Sequence, residues 1–481
     1  MTRFGTVGEA SSDNHGLFVQ DSWQVNSRLT LNLGVRIENE SVPSFGPAAT
    51  SQAITFGWGD KISPRIGGAF DLTGDGKTKL IANYGWFYDR FKYELPRGSF
   101  GGDFFRRDFF DLTPARGYNY LYTFGLERSL GQNFVLAGRY THKNVDRAIE
   151  DVGVFNDQGS EAYIIGNPGL GLVCEISRQG NYPCTKANRK YDAIEVRLDK
   201  RATNYFFNIN YTWSRLFGNY SGLASTDEGG RNSPNVNRYF DLPPLGFTAD
   251  GDPDDGLLAT DRTHVVKAYG GYSFDWKNNG VNRTSVNAFT TFQSGTPLTT
   301  IYNLYSLGTT ILTGRGDLGR TEMFTETDLG VNHRYKFGRD NRFSIEGFVD
   351  IRNLFNESNV LGVQNNISGV NFAGGTAITG GVASASNPNA GNPSTALVLG
   401  GCTTCQGELQ VFQTIFNGTG ISQFVLNYIN NNNIGTTVTP FGQPAGALVQ
   451  TPQANRTLNT YGQPNSFQAG RDVRFGFRFY F

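Results

Sequence analysis

Long apolar runs are missing from these 481 residues: no window of about eighteen consecutive apolar side chains occurs, so no helix is expected to cross a membrane. Methionine is almost absent, at 2 residues, and charged residues are only 17% of the chain, which argues against a helical cytosolic enzyme. No excess of one charge sign exists, because Lys plus Arg and Asp plus Glu stand at 42 each. That balance leaves no global field to draw nucleic acid or an acidic partner. Histidine is limited to His15, His142, His264 and His333, each far from the others. The opening Met1-Thr-Arg-Phe-Gly-Thr-Val-Gly lacks the charged and apolar segments of a secretory signal.

What is present is glycine (61), phenylalanine (38) and tyrosine (22), with aromatics at 14%. Such a mixture suits short strands separated by turns, with rings available for membrane-interface girdles. The clearest pattern closes the chain. In Arg471-Asp-Val-Arg-Phe-Gly-Phe-Arg-Phe-Tyr-Phe481, Val473, Phe475, Phe477, Phe479 and Phe481 share one parity, and Arg474, Gly476, Arg478 and Tyr480 share the other. An extended backbone sends these sets to opposite faces. In a membrane barrel the greasy face meets lipid and the arginines face a wet lumen, because an arginine against lipid near the midplane costs roughly 2–4 kcal/mol.

The same period-two reading places strands near 15–24, 29–37, 63–71, 78–88, 118–129, 134–143, 190–201, 205–216, 262–274, 283–294, 325–336, 342–354 and 467–481. Leu29, Leu31, Leu33, Val35 and Ile37 alternating with Thr30, Asn32, Gly34 and Arg36 make the cleanest of them. Long loops are expected near 38–61, 89–117, 144–188, 217–260, 295–321 and 355–466, with weak helix candidates at Glu408–Phe416 and Ile421–Ile429. Connections therefore alternate short and long without exception, as in a transmembrane meander with periplasmic turns and extracellular loops. The fold class is all-β: an antiparallel transmembrane β-barrel meander of about 13–14 strands. Thirteen strands is odd, whereas single-chain barrels usually have an even number. An unpaired edge is also costly in hydrocarbon, so the chain is expected to be the C-terminal part of a larger barrel, with more chain ahead of Met1.

Chemical motifs are few. Cys174 and Cys184, and Cys402 and Cys405, form two local pairs in long loops that an oxidising compartment would close as disulfides. The C-x-x-C spacing of Cys402-Thr-Thr-Cys405 leaves a metal half-site as the sharper alternative, short of two ligands. Gly74-Asp-Gly-Lys-Thr78 ends like a phosphate-binding loop but has Asp71 where that motif requires glycine, so a hairpin turn is the reading. Asp250–Gly256 reads as a solvated acidic loop or a loose Ca²⁺ site, and Arg315-Gly-Asp317 matches an adhesion tripeptide, a three-residue pattern that recurs by chance and is read as such. No histidine sits in a recognisable nucleophile pattern, and paired carboxylates such as Asp254 and Asp255 carry no sign of burial. Neither enzyme chemistry nor a metal or cofactor is expected. The first place to look for ligand contact is Phe104, Phe105, Arg106, Arg107, Phe109 and Phe110 in the 89–117 loop, with self-packing of those aromatics as the plainer reading.

Gly16-Leu-Phe-Val-Gln-Asp-Ser-Trp-Gln-Val-Asn-Ser-Arg-Leu-Thr-Leu-Asn-Leu-Gly-Val-Arg36 resembles the strand-turn-strand of TonB-dependent receptors, in particular the Oar-like branch. Phe292-Gln-Ser-Gly-Thr-Pro297, Phe348-Val-Asp-Ile-Arg-Asn-Leu-Phe-Asn356 and the terminal Arg-Phe-Tyr-Phe481 fit the same family. The resemblance implies a plugged barrel of about twenty-two strands that admits a ligand bound outside. It implies barrel-assembly machinery that reads the closing strand Phe475, Phe477, Phe479 and Phe481, and outer-membrane lipid around the wall. It also implies a TonB complex acting through N-terminal parts that this chain does not carry. No stretch here matches the family's plug or TonB box. The expected role is to form the channel wall and ligand-gathering loops for energised uptake of an unidentified extracellular ligand. The rivals are a self-contained passive channel or adhesin, and an outer-membrane hydrolase using His142 or His264.

Overall fold

The computed structural model describes residues 11–43, 52–88, 108–111, 118–155, 161–179, 185–221, 254–304, 308–311, 314–365, 436–438, 449–451 and 462–481. Thirteen strands form one antiparallel meander: β1 (His15–Gln24), β2 (Leu29–Pro43), β3 (Gln52–Asp71), β4 (Thr78–Tyr88), β5 (Tyr118–Gly131), β6 (Phe134–Val145), β7 (Arg189–Arg201), β8 (Tyr205–Gly218), β9 (His264–Asp275), β10 (Asn282–Gln293), β11 (Phe324–Phe337), β12 (Phe343–Arg352) and β13 (Asp472–Tyr480). A two-residue strand, Gly256–Leu257, adds to β8. Among the described residues, β1 and β13 each pair on one side only.

Register sorts the side chains. Trp23 pairs Leu31, Val19 pairs Val35 and Leu17 pairs Ile37, and from β2 to β3 Leu33 pairs Ile66 and Ile37 pairs Ile62. At the other edge Leu329 pairs Ile351, Val331 pairs Val349, Ile345 pairs Phe479 and Val349 pairs Phe475. Directly paired residues share a face, so these ladders assemble one continuous apolar face. Among the described residues no protein layer covers it: Phe475, Phe477 and Phe481 are 77%, 79% and 90% exposed, and Leu33 and Ile66 are exposed as well.

The opposite parity builds a charged face. Glu346 is buried between Arg478, whose Nη1 lies 2.9 Å from Oε1, and Arg334, whose Nε lies 3.6 Å from Oε2. Arg197 reaches Asp199 (2.7 Å) and Glu127 (3.4 Å), and Arg139 meets Glu195. Arg474 and Arg478 thus stand opposite the phenylalanines, as their parity requires.

The short connections are closed by side-chain acceptors. Asn26 Oδ1 accepts from the amides of Arg28 and Leu29, and Asp71 accepts from Gly74 (2.9 Å) and Gly76 (2.8 Å), whose φ values of 78° and 72° suit glycine. This is a hairpin turn and not a phosphate cradle. Beside it, bonds from the Thr73 hydroxyl and the Lys77 amide hold the Asp75 carboxyl down at about 2. Rings line this end of the apolar face in near-continuous contact: Tyr272–Phe274 (4.4 Å), Phe274–Trp276 (6.2 Å), Phe337–Phe343 (5.9 Å), Phe343–Phe479 (6.1 Å) and Phe479–Phe481 (6.2 Å).

Several long connections carry more structure than their polarity suggests. The loop expected at 38–61 is largely strand: β2 runs to Pro43, β3 begins at Gln52, and Glu38 pairs Lys61 while Ser41 pairs Thr55. A buried Glu40–Lys61 ion pair, with Lys61 over the Phe56 ring at 4.4 Å, holds that extension with polar residues where alternation gives no signal. The 144–188 segment holds a hairpin, Glu150–Phe155 with Glu161–Gly166, and a helix, Gly171–Gln179. The strand expected from Phe467 is two: Pro464–Phe467 pairs Val360–Val363, and β13 starts at Asp472. Thr436–Val438 pairs Val449–Thr451 inside the 355–466 segment, whose helix candidates lie outside the described residues. A small apolar core sits at this long-loop end, from Ala148, Val152, Val173, Ala187, Tyr220, Ile301 and Ile311.

The crossing from β12 to β13 explains the Asn-Leu-Phe-Asn stretch. Asn353, 1% exposed with φ 49°, donates from Nδ2 to the carbonyls of Glu357 (2.8 Å) and Ala469 (2.9 Å) and accepts at Oδ1 from the Glu357 amide (2.8 Å). Its own amide donates to Asp328 Oδ1 (2.9 Å), and Asn356 accepts from the Arg471 amide (2.9 Å). Asn353→Ala is expected to lose about 2–4 kcal/mol, because buried carbonyls lose their donor and a left-handed residue gains strain. Asn353→Gly, relieved of the strain, should recover about 1 kcal/mol. Urea midpoints of the protein refolded into detergent micelles would read both, and equal midpoints for wild type and Asn353→Ala would refute the role.

Candidate functional site

Two regions bring polar chemistry together. The first is a niche of about 650 Å³ on the charged face of β1–β4, lined by Phe18, Gln20, Asn32, Arg36, Arg65, Asn83 and Phe87. Arg65 lies 4.9 Å over the Phe87 ring and Arg36 is 2.6 Å from Glu38. Register places Phe18 opposite Arg36 and Gly34 opposite Arg65, so the niche is built by pairing across three strands. Planar cations beside rings suit an anionic or aromatic group passing over the wall.

The second is the long-loop rim between β8 and β11. Asp261, 1% exposed, accepts from the Leu216 amide (2.6 Å), Thr263 Oγ1 (3.2 Å) and Arg320 Nη2 (2.6 Å). Arg320 Nη1 also donates to the Gly295 carbonyl (2.8 Å). Gly295 belongs to the Phe-Gln-Ser-Gly-Thr-Pro stretch and approaches Thr321 so closely that a Cβ would lie 1.8 Å from its carbonyl oxygen. Thr296 and Thr321 exchange bonds there, the Thr296 amide to Thr321 Oγ1 (2.9 Å) and the Thr321 amide to the Thr296 carbonyl (3.0 Å). Next to this clamp, burial first and the Arg320 charge second lower Arg262 from the ordinary guanidinium range; it donates to the Ser294 carbonyl at 2.8 Å.

Arg315 and Asp254, with side chains 3% and 4% exposed, form a buried pair (Nε–Oδ2 3.1 Å), and Arg315 Nη2 donates to the Asn219 carbonyl (3.2 Å). Asp317 Oδ1 accepts from the Thr300 amide (2.7 Å). The Arg315-Gly-Asp317 tripeptide is folded into the rim, in keeping with a chance match. One expectation is corrected in the part of the Asp250–Gly256 run that is described: residues 250–253 lie outside the described residues, but Asp254 is a buried counter-charge and not a solvated carboxylate, while Asp255 bonds Asn188 Nδ2 (3.2 Å). Charges 61 residues apart in sequence gave no local signal of this.

The other nominated residues divide. Phe104, Phe105, Arg106 and Arg107 lie outside the described residues; Phe109 and Phe110 fall on a short strand, Asp108–Asp111, that pairs in parallel with Glu161–Gly166. Cys174, in the Gly171–Gln179 helix, is disulfide-bonded. Cys184, Cys402 and Cys405 lie outside the described residues. Phe475, Phe477 and Phe479 share the open apolar face of β13, with Phe481 just beyond it.

Among the described residues no group of three His, Cys, Asp or Glu is placed to hold a metal. His142 does meet a carboxylate that sequence spacing hid, its Nδ1 lying 2.7 Å from Asp192 Oδ1. Tyr140 donates to the same oxygen (2.6 Å), so the dyad carries a phenol and not a serine or cysteine nucleophile. His264 Nδ1 is 2.9 Å from Tyr211 Oη.

An antiparallel meander with one bare apolar face, an opposite charged face and short turns gathered at one end is the wall of a membrane β-barrel. The chain belongs to the outer membrane beta barrel domain family, whose model matches residues 3–107 and 106–318, and this places it in the bacterial outer membrane. It is 29% identical over 414 residues to the TonB-dependent transporter Oar of Myxococcus xanthus, a match covering 74% of this chain and 37% of that protein. Among solved structures it is similar to the outer membrane transporter YddB of Escherichia coli (13% identity, TM-score 0.49, 74% of this chain and 43% of that one). It is also similar to the ferripyoverdine receptor of Pseudomonas aeruginosa bound to ferripyoverdine (14% identity, TM-score 0.43, 76% and 38%). The chain spans well under half the length of each.

Breaking the rim pair from one side leaves a buried charge uncompensated. Arg315→Ala is expected to cost about 3–5 kcal/mol locally. It should open the rim to limited proteolysis near Asp254 while the β-sheet circular dichroism stays unchanged; wild-type cleavage rates would disprove the pairing's importance.

Proposed function

We propose that this chain forms part of the wall of an outer-membrane transporter that takes up an extracellular ligand in a TonB-dependent, energised cycle. The observation that carries the proposal is the sorting of the sheet into a bare apolar face and a continuous charged face, joined to the similarity to the transporter Oar over 74% of the chain. In this reading the apolar face meets lipid, and the charged face with its Arg36, Arg65 and Phe87 niche lines the ligand's route. The short turns lie in the periplasm and the rim at Asp261, Arg320, Arg315 and Asp254 supports extracellular loops that gather the ligand. The open edges of β1 and β13 pair with further strands to close a larger barrel, since each unsatisfied backbone group in hydrocarbon costs several kcal/mol. Among the described residues the His142 ring meets Asp192 and the His264 ring meets Tyr211, contacts that lend the hydrolytic alternative no support.

Two measurements test this. Ile209, on the apolar face of β8, and its neighbour Asn210, on the charged face, are each changed to Arg. Ile209→Arg should destabilise the bilayer-embedded protein by roughly 2–4 kcal/mol. Asn210→Arg should cost under about 1 kcal/mol, and equal costs would sink the membrane assignment of the faces. For transport, cells expressing the protein are screened against a panel of labelled anionic and aromatic solutes. Accumulation should vanish on deleting TonB and fall several-fold in Arg65→Glu; accumulation indifferent to TonB would instead favour a passive channel.

A further inference from the structure

Three aromatic rings stand on the charged face of the sheet, where alternation alone calls for polar side chains. Tyr269 of β9 pairs directly with Phe289 of β10, and both share the parity of Lys267, Thr291 and Glu326. Phe206 of β8, opposite Gly271 on the same face, holds its ring 6.3 Å from that of Tyr269. All three are open, at 46% for Tyr269, 37% for Phe289 and 42% for Phe206. The row that begins at Phe206 continues across the wall as Gly271, Asn287, Gly330, Asp350 and Arg474, every pair in direct register. Its two glycines leave bare backbone between larger side chains. A Cβ on Gly271 would collide with the Asn287 side chain and the Phe206 ring, and one on Gly330 would lie 3.1 Å from Asp350 Oδ1. The result is a hollow of about 360 Å³ walled by rings on one side and by Asn287, Asp350 and Arg474 on the other. That volume lies within the roughly 300–1,000 Å³ of small-molecule sites.

We infer that this hollow is a binding site for a neutral oligosaccharide, with sugar rings laid on Tyr269 and Phe289 and hydroxyls bonded to Asn287, Asp350 and Arg474. Charge selects the class. Two carboxylates, Asp328 and Asp350, line the hollow together with two guanidiniums, Arg352 and Arg474. An anion would meet both carboxylates and a cation both guanidiniums, whereas a polyol uses the first pair as acceptors and the second as donors. A flat aromatic ligand without hydroxyls would desolvate those groups and leave them unmatched, which costs affinity. The apolar C–H face of a sugar ring suits an open phenyl or phenol face, and the polar edge suits the far wall. Phe206, Tyr269 and Phe289 sit on three neighbouring strands about 4.8 Å apart. Such a platform is longer than one sugar ring, so it fits consecutive residues of a chain. Neighbouring bonds hold the polar groups in place: Arg474 Nε lies 2.9 Å from Asp472 Oδ2, and Asp328 Oδ1 accepts the Asn353 amide at 2.9 Å. The β1–β4 niche differs in carrying Arg36 and Arg65 beside its rings, so the two hollows suit different chemistry.

The inference rests on the charged face being the wet route of a transporter, and two readouts separate them. Binding of maltohexaose and of cellohexaose to the full chain in detergent micelles is measured by titration calorimetry, with hexagalacturonate as the anionic counterpart. At least one neutral oligosaccharide should bind with an affinity that added salt leaves unchanged, and the galacturonate should bind at least about tenfold more weakly. Tyr269→Ala with Phe289→Ala should weaken the neutral sugar at least about tenfold, as should Asp350→Leu. Tyr269→Phe with Phe289→Tyr keeps both rings and should keep the affinity, as should Arg339→Gln at an exposed turn away from the hollow. Absence of binding by both neutral sugars, or binding that survives loss of both rings, overturns the site. In cells the same sugar, labelled, is followed with and without TonB. Micellar binding with accumulation indifferent to TonB upholds the site and overturns energised uptake, whereas TonB-dependent accumulation of other solutes with no sugar bound overturns the site alone.

Discussion

Cross-strand register is the constraint on which everything else in this molecule depends. In a pleated sheet the side-chain period is two, so a slip of one residue between any two neighbours would move a whole strand's apolar set onto the charged face. Along the chain the ladder holds without a shift through β7–β12, and where it does shift, between Glu38 and Glu40, between Val42 and Pro43 and between Ser129 and Gly131, the irregularity lies in the outer part of a strand. Consequences propagate from that single ordering. It collects Phe475, Phe477 and Phe479 on one side, sets Glu346 between Arg334 and Arg478 on the other, and stacks the rings that line the two ends of the apolar band.

The turns protect the register. Asn26, Asp71 and Asp275 each close a connection by accepting backbone amides, the last from Gly280 at 2.6 Å, so the strand offset is fixed by local bonds before distant strands meet. A meander built this way has mostly neighbour-to-neighbour contacts, and each hairpin presents a preformed edge to the next. The cost of leaving an amide unpaired rises steeply once water is excluded. Tight closure at one end therefore matters more here than it would in a soluble sheet.

How much of this was legible in the sequence follows from where the alternation is strong. Leu29–Ile37 and the terminal Val473–Phe481 announce themselves, because hydrocarbon contact demands an apolar residue at every second position. The upper parts of β2 and β3 do not: beyond the membrane band a strand needs only backbone partners, and Glu40, Ser41, Thr55 and Lys61 read as loop although they pair. The gap between Phe467 and Asp472 was invisible for a related reason, since Gln468 turns aside to bond Asn359 and the Thr325 carbonyl instead of continuing the ladder. At the rim, Asp261 with Arg320 and Asp254 with Arg315 are matched over about sixty residues, a distance at which composition says nothing about partners. His142 and Asp192 meet only because β6 and β7 align them.

The rim also bears on why family-specific stretches lie where they do. Gly295, Thr296, Arg320 and Thr321 in one clamp, and Asn353 and Asn356 in another, satisfy backbone groups where long connections leave the sheet. Their chemistry is structural: a glycine where a carbonyl passes within van der Waals distance, an asparagine where a left-handed turn must be capped. Both clamps stand at the long-loop end of the wall, where they close the sheet below the long connections. The buried Arg315–Asp254 and Arg320–Asp261 pairs mark the boundary between the sheet and the long connections above it.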